Sequence, residues 1–335
     1  MGSKTPSENE NLNKEIIAWG YDTLLSTGYT VKNKIPEFVL STHWSFVARY
    51  ETTDGYIYLK HTPEQIALEA SILKLLHDQF NASVPKVIAH NPKLCGFLMK
   101  DAGRSLRERL KLHFDTDLLC KAIDQFTSLQ VDVADHIDVF FDMGVPDWRI
   151  DKLPDLFEQF LLEEDILLLD GLSDEEISKL KTLVPTVATL CNKLSDYSIK
   201  QTIVQPDFND NNNLISEDLQ KITIIDLGEI SVSHPFFSLL NCMWVIKKHH
   251  GLTDKDDRYQ QIMDACLKNF KNKESKKQLK KAWEIAKILW FVYEVMGQYR
   301  LIRACGKERI ISFQHGKLSN TLREFMARCD TTDMP

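Results

Sequence analysis

The chain changes character at about residue 102, and that break constrains its fold more than any other feature. Residues 30–61 are rich in β-branched and aromatic side chains, interrupted by turn signals at Ser41-Thr42 and Thr53-Asp54-Gly55. They predict three strands, near 30–40, 45–52 and 56–61, with Asp54-Gly55 closing the second hairpin. Thr62-Pro63-Glu64-Gln65 predicts a helix start: a capping Thr, Pro at the first helical position and a capping-box Gln, with the helix running to about Phe80. Two more strands follow, near 86–90 and 95–101, the first introduced by Val84-Pro85. From Ala102 onward the pattern is helical, with helices expected near 104–113, 116–133, 151–168, 174–195, 235–249, 256–270, 275–304 and 318–328. Another helix is expected over 8–27, from a Ser7/Glu10 capping box to Gly28. The fold class is α+β in two lobes. Residues 1–101 form a small antiparallel sheet with one inserted helix, and residues 102–335 a larger, mostly helical lobe.

Composition removes several alternatives. With 41 Lys+Arg against 48 Asp+Glu the net charge is −7, which argues against a nucleic-acid partner. The seven Cys are scattered with no C-x-x-C, as expected of free thiols in a reducing, cytoplasmic setting. The N-terminus carries no apolar leader segment. The longest uncharged stretch, Ile230–Ile246, is shorter than the roughly 20 residues that a membrane-spanning helix needs, so no membrane partner is expected. Glycine is scarce, 13 in all, and no G-x-G-x-x-G, G-x-x-x-x-G-K-[ST] or G-x-S-x-G occurs. His249-His250 lacks a third ligand at useful spacing and reads as a surface pair.

The exception to the helical pattern is Ile203–Asp226. A short strand, Thr202-Ile203-Val204, leads into the polar loop Gln205–Asn212, followed by a hairpin of Asn213–Ser216 and Ile222–Ile225. Asp207 and Asn212 lie in the loop, and Asp226 ends the last strand. Asp and Asn favour turns anyway. Two acids and an amide at the ends of adjacent strands are, however, hard oxygen donors of the kind that suits Mg²⁺ beside substrate phosphates. Glu69 falls on the inward stripe of its helix with Ile66, Ala70, Leu73 and Leu76. A carboxylate there needs a partner or must reach water, and Lys60, at the end of the preceding strand, is the candidate partner.

These residues resemble the aminoglycoside phosphotransferase and choline kinase-like small-molecule kinases, which share the protein-kinase fold. The family loop H-G-D-x-x-x-x-N, a hydrophobic strand and I-D-[WF]-G-[DE] are matched here by QPDFNDNNNLI and IIDLGEISVSHPFFSLL. GYIYLKHTP is similar to the strand-three lysine segment, LEASILKLL to the Glu-bearing helix, and VPKVIAHNPKLCGFLMKDAGRSLRERL to strand four, the hinge and the next helix. The likeness spans roughly residues 40–245. It implies Asp207 as catalytic base, Asn212 and Asp226 as Mg²⁺ ligands, and Lys60 on the ATP phosphates paired with Glu69. It further implies Tyr58 stacked on adenine, and hinge backbone groups of Lys100 and Ala102 behind Met99. Ser41 and Ser45 are implied at the phosphates, in a loop, Leu40-Ser-Thr-His-Trp-Ser45, that has no glycine. Gln205 and Pro206 stand where the family usually has His and Gly; a Gln amide can still bond backbone groups.

The resemblance implies ATP- and Mg²⁺-dependent phosphorylation of a hydroxyl on a small molecule. The other reading is a nucleotide-binding pseudokinase that acts as a scaffold. Residues 151–176, with ten Asp/Glu and one Lys, read either as solvated helix faces or as an acidic wall for a cationic acceptor, aminoglycoside- or amino-alcohol-like. Lys271–Lys281, with six Lys and one Glu, reads as an exposed helix face.

Overall fold

The computed structural model describes residues 6–330, with side chains from residue 13 onward. Helix α1 (Pro6–Ser26) is followed by strands β1 (Glu37–Ser41), β2 (Phe46–Thr52) and β3 (Gly55–His61), helix α2 (Glu69–Phe80), and strands β4 (Val87–Asn91) and β5 (Gly96–Lys100). The strands form one antiparallel sheet in the order β1-β2-β3-β5-β4. One face of the sheet is apolar because alternate residues of β2 and β3 are: Phe46, Ala48, Tyr50, Ile57 and Leu59 pack with Leu98 against Ile16 and Leu24 of α1. Tyr50 fixes the helix by donating its hydroxyl to the Ile17 carbonyl (2.6 Å). The opposite face carries Val47, Arg49, Tyr58, Lys60 and Met99, by the cross-strand pairs Val47–Lys60, Arg49–Tyr58 and Tyr58–Met99. Lys60 and Tyr58 therefore share the face turned away from α1.

The rest of the chain is predominantly helical. A two-residue strand β6 (Arg104–Ser105) leads into α3 (Leu106–Leu112), α4 (Thr116–Val133), α5 (Asp138–Asp142), α6 (Leu153–Phe160), α7 (Glu164–Leu169), α8 (Asp174–Thr182) and α9 (Val184–Ser195). Strands β7 (Thr202–Val204), β8 (Asn213–Ile215), β9 (Ile222–Ile224) and β10 (Ser231–Ser233) then interrupt the helices. Five helices complete the described residues: α10 (Phe236–His250), α11 (Asp257–Lys268), α12 (Lys276–Cys305), α13 (Lys307–Gln314) and α14 (Lys317–Cys329). Strand β8 pairs with β6 and β9, and β10 with β7. One large apolar cluster runs through this half and takes in Ile66, Ala70, Leu73 and Leu76 of the predicted α2 stripe.

Several expected boundaries move. The stretch 30–36 is not strand; only Val31 makes an isolated bridge, to Thr52. Thr52 pairs directly with Gly55, so the tight turn is Thr53-Asp54 and Gly55, at φ +101°, already belongs to β3. The helix expected from Thr62 begins at Glu69. Thr62 is still tied to the sheet edge through the Cys95 carbonyl (3.3 Å), Pro63 is extended, and a 3-10 turn, Glu64–Ile66, intervenes. Pro185 divides 174–195 into two helices because it has no N–H to continue the ladder. Ser7 lies inside α1 and its side chain is outside the described residues, whereas Gly28 (φ +88°) follows the helix end as expected. The short elements α5, α13, β6 and β10 were not anticipated.

Candidate active site

Lys60, on β3, reaches across to the helical half. Its Nζ lies 2.5 Å from Glu69 Oε2 and 2.5 Å from Asp226 Oδ1. Glu69 is 3% exposed, at the start of α2, and its other oxygen accepts from the Leu227 N–H (3.3 Å). Burial works against the Lys60 charge, but the Asp226 and Glu69 carboxylates outweigh it and hold the ammonium well above the usual lysine range. Burial pushes the Glu69 carboxyl up while Lys60 pulls it down. With the ammonium at 2.5 Å we assign an ionised pair. The expected Lys60–Glu69 partnership is thus present in the structure, and Asp226 joins it.

Asp226 sits just past β9 at φ +64°, a left-handed conformation that non-glycine residues rarely adopt. Gln205 holds it there, its side-chain amide donating to the Ile225 (2.8 Å) and Asp226 (3.0 Å) carbonyls. The Gln205 N–H in turn donates to Ser238 Oγ (2.8 Å). Asn212 lies close by, since the Ile225 N–H donates to its carbonyl (3.0 Å).

Asp207 is exposed to solvent and is gripped by amides. Asn209 Nδ2 donates to Oδ1 (2.7 Å) and Asn212 Nδ2 to Oδ2 (2.9 Å), with Asn241 Nδ2 at 3.5 Å from Oδ1. The residue is exposed, yet protein packs round part of its carboxylate. That burial first, and the Asp226 charge second, push its pKa up to about 6. Glu229, on the segment after Asp226, is pushed up to about 7 by burial and then by Asp226, with Arg300 acting against the rise.

The remaining predicted residues divide. Tyr58, Lys100 and Ala102 line a cavity of about 1070 Å³ around the hinge, together with Arg49, Tyr56 and Arg104; Lys60, Met99, Asp207 and Asp226 are not among its walls. Met99 faces the same side of the sheet as Tyr58. Leu214, between buried Asn213 and Ile215, and Ile225, between buried Ile224 and exposed Asp226, are partly exposed, which was not anticipated. Ser41 is exposed at the end of β1. The Ser45 hydroxyl is buried without a partner, and its N–H donates to Thr42 Oγ1 (2.9 Å). Among the described residues no hydrogen bond joins either serine to Lys60, Asp207 or Asp226. The tip of this hairpin instead crosses to the helical half, where the His43 and Trp44 rings meet Phe313 of α13 edge-on at 5.2 and 5.8 Å.

Two readings need correction. His250 is no surface residue: its ring is 4% exposed and its Nε2 lies 2.6 Å from the fully buried Asp210. The acid-rich segment 151–176 makes neither a free wall nor merely a solvated face. Glu163 bonds Tyr299, Glu164 Lys181, Asp165 Lys307 and Glu176 Arg323. Asp170 caps α14 through the Gly316 and Ser319 N–H groups (2.9 and 2.7 Å). Most of these carboxylates dock the C-terminal helices. Arg107, Asn209, Asp210 and Asn241 were also missed; the local sequence gives no signal for Arg107, Asp210 and Asn241, whose side-chain partners lie on distant elements, while Asn209 bonds Asp207 within the loop itself.

No family model and no curated protein matches the sequence. Solved structures do. The gentamicin complex of APH(2")-IIa superposes with a TM-score of 0.58 at 16% identity, over 99% of this chain and 98% of its own. A choline/ethanolamine kinase family protein from Mesorhizobium loti gives 0.59 at 13% identity, over 96% of each chain. The chain has the protein-kinase-like fold of these structures. Amicoumacin kinase hAmiN, in complex with AMP-PNP, Ca²⁺ and Ami, shares that kinase fold at a TM-score of 0.57 and 15% identity, over 97% of this chain and 96% of its own. Among the described residues, no helix is long and apolar enough to cross a membrane.

Proposed function

We propose that the protein transfers the γ-phosphoryl group of ATP to a hydroxyl of a small molecule, in a cytoplasmic setting. Residues 1–101 bind the nucleotide, and residues 102–335 carry the catalytic loop and the acceptor site. The observation that carries this reading is the Lys60 ammonium held 2.5 Å from both Glu69 and Asp226, on a fold shared with small-molecule kinases. A lysine fixed in that way meets the α/β-phosphates as a preorganised charge. Tyr58 stacks on the base, and the backbone at Lys100 and Ala102, behind Met99, meets its edge. Ser41 and Ser45 stand at the hairpin that covers the phosphates.

Asp207 takes the hydroxyl proton. Its amide partners fix the carboxylate, and its raised pKa makes it a stronger base than an ordinary aspartate while leaving it ionised at neutral pH. The residues present fit Mg²⁺. Asn212 donates its Nδ2 to Asp207, which leaves Oδ1 as a ligand atom, and Lys60 occupies only Oδ1 of Asp226. Among the described residues no cluster of three or more His, Cys, Asp and Glu is arranged to hold a metal. An Mg²⁺ ion needs only one or two protein oxygens when phosphates and water complete its shell. When bound, Mg²⁺ would neutralise charge on the phosphates.

Asp207, Asp226, Glu229 and Glu294 act on one another electrostatically around the cleft, which favours a cationic acceptor such as an amino alcohol or aminoglycoside. The test is an acceptor screen that reads ADP release, with Asp207→Asn as control. ADP release that depends on acceptor and on Asp207 supports the reading. No release with any hydroxyl compound while Mg²⁺·ATP binds would point to the scaffold instead.

A further inference from the structure

Three elements distant in sequence meet beneath the loop that carries Asp207. Arg107, on α3, donates from Nε to Asp210 Oδ1 (2.8 Å) and from Nη2 to Asn209 Oδ1 (2.8 Å). From the other side His250, the last residue of α10, sets Nε2 2.6 Å from Asp210 Oδ2. Asp210 is 0% exposed and Asn209 3%. A buried carboxylate needs partners, and both Asp210 oxygens have one. The His250 ring is steadied by Phe114, 4.9 Å away.

The chemical consequence lies in Asn209. Its Oδ1 accepts from Arg107 Nη2 and from the Asn211 N–H, each at 2.8 Å. With its oxygen so occupied, the amide must turn Nδ2 the other way, where it donates to Asp207 Oδ1 at 2.7 Å. An Asn amide flipped end for end would set its oxygen against the Asp207 carboxylate and its NH₂ against the guanidinium. Arg107, with the Asn211 N–H, makes that state unfavourable at one end, and the Asp207 carboxylate does so at the other.

We propose that Arg107 is a positioning residue for the transfer step. It acts through Asn209 to fix the Asp207 carboxylate, while Asp210 and His250 hold its fork in place. The proposal rests on the reading of Asp207 as the base.

The experiment compares Arg107→Lys, Asn209→Ala and the double variant. Lysine keeps one ion pair to Asp210 but lacks the second, fixed prong. Arg107→Lys is expected to melt close to wild type and to bind Mg²⁺·ATP with a similar Kd by calorimetry. Its kcat should fall by roughly tenfold or more, as small misplacements of a catalytic group do. A merely structural role would lower melting temperature and binding together with kcat. Asn209→Ala leaves the Arg107–Asp210 pair intact and should give a similar loss, which keeps the proposal testable if the lysine variant fails to fold. The double variant should be little worse than either single one, because both cut the same link. Unchanged kcat in Arg107→Lys, or additive losses, would overturn the proposal. A crystal structure of Arg107→Lys reads the link without turnover: Asn209 Nδ2 should leave Asp207 Oδ1, and an unmoved contact overturns it. A wild type inactive toward every acceptor would count instead against Asp207 as base, a separate failure because the crystal structure still reports on the Arg107–Asn209–Asp207 relay.

Discussion

Gln205 holds Asp226 by its backbone: one side-chain amide nitrogen donates to the Ile225 and Asp226 carbonyls at 2.8 and 3.0 Å. A residue that departs from the His common in the resembling family therefore still supports the acid at the next strand end. Gln205→Ala removes both bonds and frees a left-handed Asp226. Stability should fall by about 1–3 kcal/mol in chemical denaturation, and phosphoryl transfer should fall with it. A variant as stable and as active as wild type would mean that Asp226 holds its conformation unaided.

Lys60 and Glu69 should respond unequally. Lys60→Met leaves the buried Glu69 carboxylate unpaired, and breaking one side of a buried pair typically destabilises by about 3–5 kcal/mol. The same change should weaken productive ATP use by roughly 10–150-fold, the loss of a charged hydrogen bond. Glu69→Gln should act more mildly on turnover, since Asp226 still holds the lysine. Thermal melts and steady-state kinetics on both variants decide it; equal, small effects would reduce Lys60 to a strand-end lysine.

Asp207 and Asp226 are alike chemically and differ in assigned role. Asp207→Asn should bind Mg²⁺·ATP nearly normally and lose about 10²-fold or more in turnover. Asp226→Asn should lose nucleotide binding and turnover together. The ionised form of Asp207 is the active one, so kcat/KM should fall as pH drops through about 6, the value to which burial raises it, and be flat above. Bound Mg²⁺ would move the inflection lower. Calorimetric titration beside the pH profile separates the roles, and full turnover in Asp207→Asn would remove this loop from the chemistry.

Glu229 gives a stability prediction with a definite sign. Its folded pKa, about 7, lies above its ordinary value of 4.5, so the native state holds the proton more tightly than the unfolded chain does. Its contribution to stability is favourable below pH 4.5 and is lost as pH rises through 7. Glu229→Gln should therefore raise the melting temperature more at pH 8 than at pH 5. An equal shift at both values would show that the carboxyl titrates normally.

The hinge allows no side chain at Gly103. Its φ is +110°, and a Cβ there would lie 2.1 Å from the Ile215 carbonyl oxygen. Gly103→Ala should cost at least about 1–3 kcal/mol through backbone strain, with a weaker Kd for nucleotide. A wild-type melting curve would show that β6 and β8 can separate without penalty.

What could be read in the sequence was whatever depended on local pattern. The α2 stripe placed Glu69 on the buried side, and the polar loop with the strand end beyond it singled out Asp207, Asn212 and Asp226 as candidates. Residues whose meaning lies in distant partners stayed hidden. His250 and Arg107 look like surface charges until Asp210 is seen between them, 2.6 and 2.8 Å away. The acid-rich 151–176 segment misled in the same way, because its cations lie largely in the last forty residues of the chain. Short elements such as β10 carry no periodicity of their own and form because a neighbouring strand supplies their hydrogen bonds.

The meeting of His43 and Trp44 with Phe313 ties the β1–β2 hairpin to the helical half, away from the hinge, the Lys60–Asp226 pair and the packing of α2. With these rings in contact, that edge is narrower for a bulky molecule than with them parted. Each aromatic contact is worth about 0.5–1.5 kcal/mol, so the pair together makes the unlatched form rarer by a factor of roughly 5–150. Capture of a large acceptor through that edge, and escape of its product, would then be timed by the latch, and the chemical step need not set the pace of turnover.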